Sequence, residues 1–392
     1  MSLTRRRLTL TAAAIALGLT PALAADPVKI GFIAPLTGPF AQSGKLMELG
    51  ARLYMQQNGA EAGGRNVELI VKDDGGAPDA TKRIAQELIA NDKVSVLAGF
   101  VLTPSAMAAA PVATQAKTPL VVMNAAASAV TEASPFITRT GFNVPQTVVP
   151  IADWTADQGI KKVVTLVTDY APGIDTETTF VQRFTARGGQ VVDSLRTPLR
   201  SPDFAPFLQR VADAKPDALF VFVPSGMGAQ LMKQFIERGL DKTGIKFIAE
   251  GSVTEDDILP QMGDAAIGMV TSHHYSVAHD SPENKAFVAA FKAANNNMRP
   301  NLFSVQGYDG MKLIYEALKK TGGSTDGEAL IGAMKGMAWV SPRGPISIDP
   351  ETRDIIQNVY IRKVEKVGGE LYNIEFATVP NVKDPVKAAK KQ

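Results

Sequence analysis

Val28-Lys29-Ile30-Gly31-Phe32-Ile33-Ala34 is a short apolar run of strand length, closed by Pro35, and it reads as a buried strand. From about Gly44 to Asn58 the spacing changes: Leu46, Leu49, Leu53 and Tyr54 fall on one stripe of a helix. Working outward, the same unit recurs. Val67–Val71 reads as a strand and Asp79–Asn91 as a helix; Val94–Ala98 precedes a helix over Pro104–Gln115, and Leu120–Met123 is another strand. Apolar strands alternating with helices predict parallel sheets covered on both faces, an α/β fold.

Beyond Arg139-Thr140-Gly141-Phe142 the rhythm restarts, with strands at Val163–Val167, Val191-Val192, Asp217–Val223, Phe247-Ile248 and Met269-Val270. Helices are expected between them at Glu177–Arg187, Phe204–Ala214 and Ala229–Arg238. His279 to Gly336 turns helical, and alternation returns at Ile356, Val359, Ile361 and from Leu371 to Phe376. With 392 residues the chain exceeds what one core usually serves, so two lobes are expected.

The amino end carries Arg5, Arg6 and Arg7, an apolar run from Leu8 to Leu19, and Ala22-Leu23-Ala24. This is the pattern of a secretory signal peptide over residues 1–24, too short to span a bilayer. Thr4-Arg5-Arg6 with Leu8 leaves a twin-arginine route open beside the general one. Removing 1–24 takes away three arginines and no acid, so the formal charge falls from +2 to −1. A periplasmic, non-spanning protein follows, and near-neutral charge removes the basic footprint of a nucleic-acid binder. No Cys and three His leave almost no ligand pool for zinc or a Cys/His dyad. Gly226-Met227-Gly228 opens a helix as a dinucleotide site would, but Leu231 stands where the third glycine belongs. Neither a cofactor, a metal nor a catalytic residue is expected, and the terminal Lys387, Lys390 and Lys391 read as a solvated tail.

In open α/β sheets ligands bind beyond the carboxyl ends of the strands, where helix N-termini aim free N–H groups outward. Three such segments are rich in small and hydroxyl residues: Leu36–Gly44, Val101-Leu102-Thr103-Pro104-Ser105 and Asn124-Ala125-Ala126-Ala127-Ser128. They predict capture of an anion by backbone dipoles and hydroxyls.

Several motifs together resemble the branched-chain amino-acid binding proteins of ABC transporters: Ile30–Pro39, the Gly44 to Gly50-Ala51 helix start, Val71-Lys72-Asp73-Asp74, Pro119–Val122, Asp169-Tyr170-Ala171-Pro172-Gly173 and Glu250-Gly251. The resemblance implies a type I periplasmic binding fold, two Rossmann-like lobes joined by three crossovers and closing on a ligand. The lobes would comprise 26–140 with about 279–355, and 141–278 with about 356–392. It further implies that loops matching Thr103, Ala126 and Ser128 hold a ligand carboxylate, with Ser43 covering the ligand; Ser105, in the same strand-end segment as Thr103, is a further candidate. An amino-acid ligand would need an acid for its ammonium group, from Glu250 or Asp169. Tyr170 and the run His273-His274-Tyr275 instead offer polar rings to stack on a flat ligand or bond its hydroxyl, as in the subgroup taking up benzoate or hydroxycinnamate types. An aromatic carboxylate is favoured, with an aliphatic amino acid as the alternative, and a sensory binding protein or an NAD-dependent enzyme as rivals. The expected partners are an ABC permease and ATPase, and the chain itself is expected to be a monomer.

Overall fold

A computed structural model describes residues 26–200 and 202–390; the expected signal peptide and Lys391 lie outside them. The first sheet contains β1 (Val28–Ala34), β2 (Glu61–Ala62), β3 (Arg65–Asp73), β4 (Val96–Gly99), β5 (Leu120–Val122) and β6 (Ile137–Arg139). Its order is β2-β3-β1-β4-β5-β6, parallel except for the β2–β3 pair. The quoted run explains why it forms a central strand. Val28, Ile30, Phe32 and Ala34 join one hydrophobic cluster and Ile33 joins another, the period-two split of a strand buried on both faces. Helices α1 (Ala41–Asn58), α2 (Pro78–Ala90) and α3 (Thr103–Ala116) connect these strands.

The chain then crosses to a second lobe and forms α4 (Val144–Asp157), a helix the sequence pattern did not announce. Pro145 sits in its first turn and Pro150 inside it, but an Asn143–Gln146 capping box secures its start. The parallel strands β7 (Lys162–Thr168), β8 (Gln190–Thr197), β9 (Ala218–Phe222), β10 (Lys246–Glu250) and β11 (Val270–His273) follow, with α5 (Ala171–Ala186), α6 (Ala205–Ala214), α7 (Gly228–Glu237) and α8 (Leu259–Met262) among them. In β9, Leu219 and Val221 enter one core while Ala218 and Phe220 enter the other.

A second crossover returns the chain to α9 (Pro282–Ala294), α10 (Leu302–Lys320) and α11 (Gly327–Met334), whose apolar faces complete the first lobe's core. The third crossover carries β12 (Ala338–Ser341) and β13 (Gly344–Ile348) into β14 (Ile355–Val367), which pairs with β15 (Glu370–Val382) ahead of α12 (Pro385–Ala389). These strands extend the second sheet to the order β12-β13-β14-β11-β10-β9-β7-β8. Ile346, Ile348 and Ile355 nevertheless pack in the first lobe's core. The fold is two α/β lobes with parallel sheets, joined by three crossovers.

Buried ions tie the crossovers together. Arg343 is 2.9 Å from Asp309 and donates to the carbonyls of Thr140 and Gly141 and to Gln357. Arg139 pairs with Asp354 at 2.6 Å, and Lys387 pairs with the same Asp354. The solvated-tail expectation therefore fails for Lys387: it is 5% exposed because α12 folds back over Thr131 and Asp354. Lys390 does lie at the surface, against Glu132.

Candidate functional site

A cleft with about 450 Å³ of empty space, its mouth included, opens between the lobes. It lies where the strands end: Val101, Leu102 and Thr103 follow β4, Asn124 and Ala126 follow β5, Tyr170 and Pro172 follow β7, Pro224 and Ser225 follow β9, and Ser252 follows β10. Phe40 and Ser43 come from the start of α1, Leu302 and Phe303 from the start of α10, and Phe142 and Phe222 complete the wall. Helices α1, α3, α5 and α10 all begin at this wall. Their first amides have no helical acceptor, and their dipoles make the cleft favourable to an anion.

The middle of α1 packs against the first turns of α10 because two glycines let the helices touch. A Cβ on Gly50 would stand 1.9 Å from the Ser304 carbonyl oxygen, and one on Gly307 would stand 2.0 Å from that of Met47. This contact brings Phe40 and Ser43 to the same wall as Leu302 and Phe303.

The loop after β5 is built as a donor. Arg139 takes the carbonyls of Ala125 (3.0 Å) and Ala127 (2.7 Å), and Val144 N–H takes that of Ala126. The amide of Ala125 donates to Phe100 O, that of Ala127 to Thr103 Oγ1 at 3.2 Å, and that of Ser128 to Asp175 at 2.9 Å. Among the described residues, the Ala126 amide alone of these four has no protein partner. Thr103 Oγ1 accepts from Ala127 and so keeps its own proton for a ligand.

Of the residues singled out from the sequence, Ser43, Thr103, Ala126 and Tyr170 line the cleft. The others lie elsewhere, each for a visible reason. Ser105 Oγ sits 3.0 Å from Asp74 and 2.9 Å from Thr81, in a buried knot joining α2 and α3. Ser128 Oγ donates to Asp384 at 2.5 Å, covered by the carboxyl-terminal segment. Tyr275 donates its phenol proton to Asn284 at 3.1 Å inside the first lobe's core. His274 lies behind the wall, its ring stacked on Phe142 at 4.8 Å and its Nε2 3.2 Å from Gln306. Glu250 is wholly buried, and Asp169 points outward at the surface toward Arg196. Neither acid lines the cleft.

Adjacent strand residues point to opposite faces, yet His273 and His274 are both buried, because β11 is interior to its sheet. Burial, then the neighbouring charges of His273, Arg343 and Arg362, hold His274 well below the ordinary imidazole range. His273 behaves oppositely. Burial depresses it, but the charge of Glu250 (3.0 Å) and, after it, the contact with Glu255 (3.3 Å) prevail and raise it. Glu250 is pushed up by burial, yet His273 and Ser252 outweigh this and hold it below the ordinary carboxylate range. Burial moves Glu255 up to about 7.

Sequence reasoning missed Phe40, Phe142, Phe222 and Phe303, which with Tyr170 give the cleft five aromatic rings. Tyr170 and Phe222 lie nearly parallel, 6.2 Å apart. None of the sixteen described residues lining the cleft is charged. A Cβ on Gly228 would stand 1.9 Å from Val253 O, so this glycine serves close packing.

Known proteins share this architecture. The chain is 44% identical over 384 residues to the Leu/Ile/Val-binding protein homolog 6 of Brucella abortus (strain 2308), covering 97% of this chain and 98% of that one. It superposes with a TM-score of 0.91 on a solute-binding protein of an ABC transporter from Rhodopseudomonas palustris BisB5, solved in complex with 3,4-dihydroxybenzoic acid. That match has 60% identity and covers 92% of this chain and 99% of the other. A second R. palustris ABC transporter solute-binding protein, in complex with 4-hydroxybenzoate, matches with a TM-score of 0.90 and 43% identity over 94% and 100% of the chains. The pattern of the family described as periplasmic binding protein matches residues 27–369, and this chain belongs to that family.

Proposed function

We propose that the protein is the periplasmic solute-binding component of an ABC importer whose ligand is an aromatic carboxylate. The observation that carries the reading is the cleft wall: five aromatic rings, helix N-termini from both lobes, and no charged side chain. A carboxylate is held without a full countercharge by the Thr103 hydroxyl, the Ala126 amide and the α3 amides. The rings of Tyr170, Phe142 and Phe222 take the flat body of the ligand. Capture, closure and delivery to a permease need no bond to be made or broken. The proteins of known structure bound to dihydroxy- and hydroxybenzoate support the same ligand class.

The names of the Brucella relatives favour a branched-chain amino acid instead. Such a ligand brings a desolvated ammonium group, which needs an acid beside it. Glu250 is turned to His273 and Ser252, which supports the aromatic acid. Thermal melts with benzoate, 4-hydroxybenzoate, coumarate, leucine and valine test the choice, since a ligand bound only by the folded state raises its melting point. Stabilisation by the aromatic acids supports the reading; stabilisation by leucine or valine alone overturns it.

A further inference from the structure

Arg200 belongs to the second lobe but bonds the first. It follows β8, and its Nη2 donates at 3.1 Å to the carbonyl of Gly76, in the turn that follows β3. Both positions are remote from the crossovers. β3 lies four places along the first sheet from β6, whose end starts the first crossover, and β8 lies four places from β11, whose end starts the second. At about 4.8 Å per strand this is roughly 19 Å, so the contact spans the mouth of the cleft, where opening separates the lobes furthest.

The receiving turn is braced from within. Gly76 has φ +69°, in the left-handed region that favours glycine, and its amide donates to Asp74 Oδ1 at 2.8 Å. Asp74 is buried, and its other oxygen is 2.7 Å from the Thr81 hydroxyl and 3.0 Å from that of Ser105. Ser105, which does not reach the cleft, thus steadies the turn at its mouth. A Cβ on Gly76 would stand 3.1 Å from Leu102, 3.4 Å from Phe40 and 3.9 Å from Arg200, so the guanidinium lies beside two residues of the cleft wall. The segment carrying Arg200 is anchored in turn: Gln230 donates to Pro202 O at 3.1 Å, Phe204 is buried in the second lobe's core, and Leu199 and Met227 pack on the first lobe's core.

We propose that Arg200 is a latch, which by bonding Gly76 across the mouth holds the closed lobes over the ligand and slows its release; this rests on the reading that an aromatic carboxylate is captured by closure. Arg200 is not among the residues lining the cleft, so it acts on the lobes and not on the ligand. A ligand enters while the lobes are apart and the bond is unmade, and it leaves after the bond has broken. Losing the bond therefore speeds dissociation and spares association. Arg200 is a positioning residue, and Asp74 and Ser105 fix the turn that receives it.

The test is surface plasmon resonance of the immobilised full chain with 4-hydroxybenzoate, which separates the two rates. In Arg200→Ala the dissociation rate is expected to rise about three- to tenfold, the range of one ordinary hydrogen bond, while the association rate stays within about twofold of wild type. Arg200 is exposed, so the melting temperature of the ligand-free variant should match that of wild type, whereas a merely structural role would lower it. An unchanged dissociation rate in Arg200→Ala, a weaker affinity that comes through association alone, or faster dissociation accompanied by a lower ligand-free melting temperature overturns the latch while leaving the aromatic reading intact. Failure of wild type to bind 4-hydroxybenzoate overturns the aromatic reading, and the latch with it.

Discussion

Thr103→Val removes one hydroxyl from the cleft and keeps the side chain's shape. In the structure that oxygen accepts from the Ala127 amide at 3.2 Å, and its proton is left for the ligand carboxylate. Loss of a hydrogen bond to a charged group costs about 1.5–3 kcal/mol, which corresponds to a Kd raised roughly ten- to 150-fold. The variant also strands a buried amide, so stability falls by about 1–3 kcal/mol. Calorimetry with 4-hydroxybenzoate measures the first effect and denaturant unfolding the second. Ser128→Ala is the control. Its hydroxyl is spent on Asp384, so about 1 kcal/mol of stability is lost while the affinity stays within about twofold of wild type. A Thr103→Val protein that binds as tightly as wild type refutes the placement of the carboxylate.

Asp354→Ala leaves Arg139 a buried cation without its carboxylate and takes from Lys387 the nearer of its two; stability should fall by about 3–5 kcal/mol in denaturant unfolding, and a loss under about 1 kcal/mol would contradict the buried pairing. Glu255, raised to about 7 from an ordinary 4.5, stays protonated in the fold while the unfolded chain ionises, so its contribution to stability falls as pH rises between these values. Melting temperatures of Glu255→Gln should accordingly decline less than wild type across that window, and parallel curves would refute the assignment. Gly50→Ala drives a methyl to 1.9 Å from Ser304 O and forces α1 from α10. We expect a stability loss of about 1–3 kcal/mol together with weaker ligand binding, and unchanged calorimetry would show that this contact does not set the wall.

The α/β rhythm was legible because buried strands such as Val28–Ala34 are short and apolar while the intervening helices keep a 3.6 stripe. Helix Val144–Asp157 escaped because its two prolines hide the stripe and its start is fixed by the Asn143–Gln146 cap. Ser43, Thr103 and Ala126 stood out by their position after strands and Tyr170 by its polar ring, and all four line the cleft. The phenylalanines of the wall were not, since a single aromatic carries no local sign of which cavity it meets. Ser128 and Lys387 were misplaced for one reason: their partners Asp384 and Asp354 become neighbours only when the last segment folds back. Glu250 was a fair candidate by sequence, but its capture by His273 is a tertiary fact.

The central claim is tested most directly by titrating ligand-stripped protein with 4-hydroxybenzoate and, separately, with leucine in a calorimeter. The account predicts saturable binding of one 4-hydroxybenzoate per chain and none of leucine at the same concentrations. Saturable binding of leucine with no heat from the aromatic acid would contradict it.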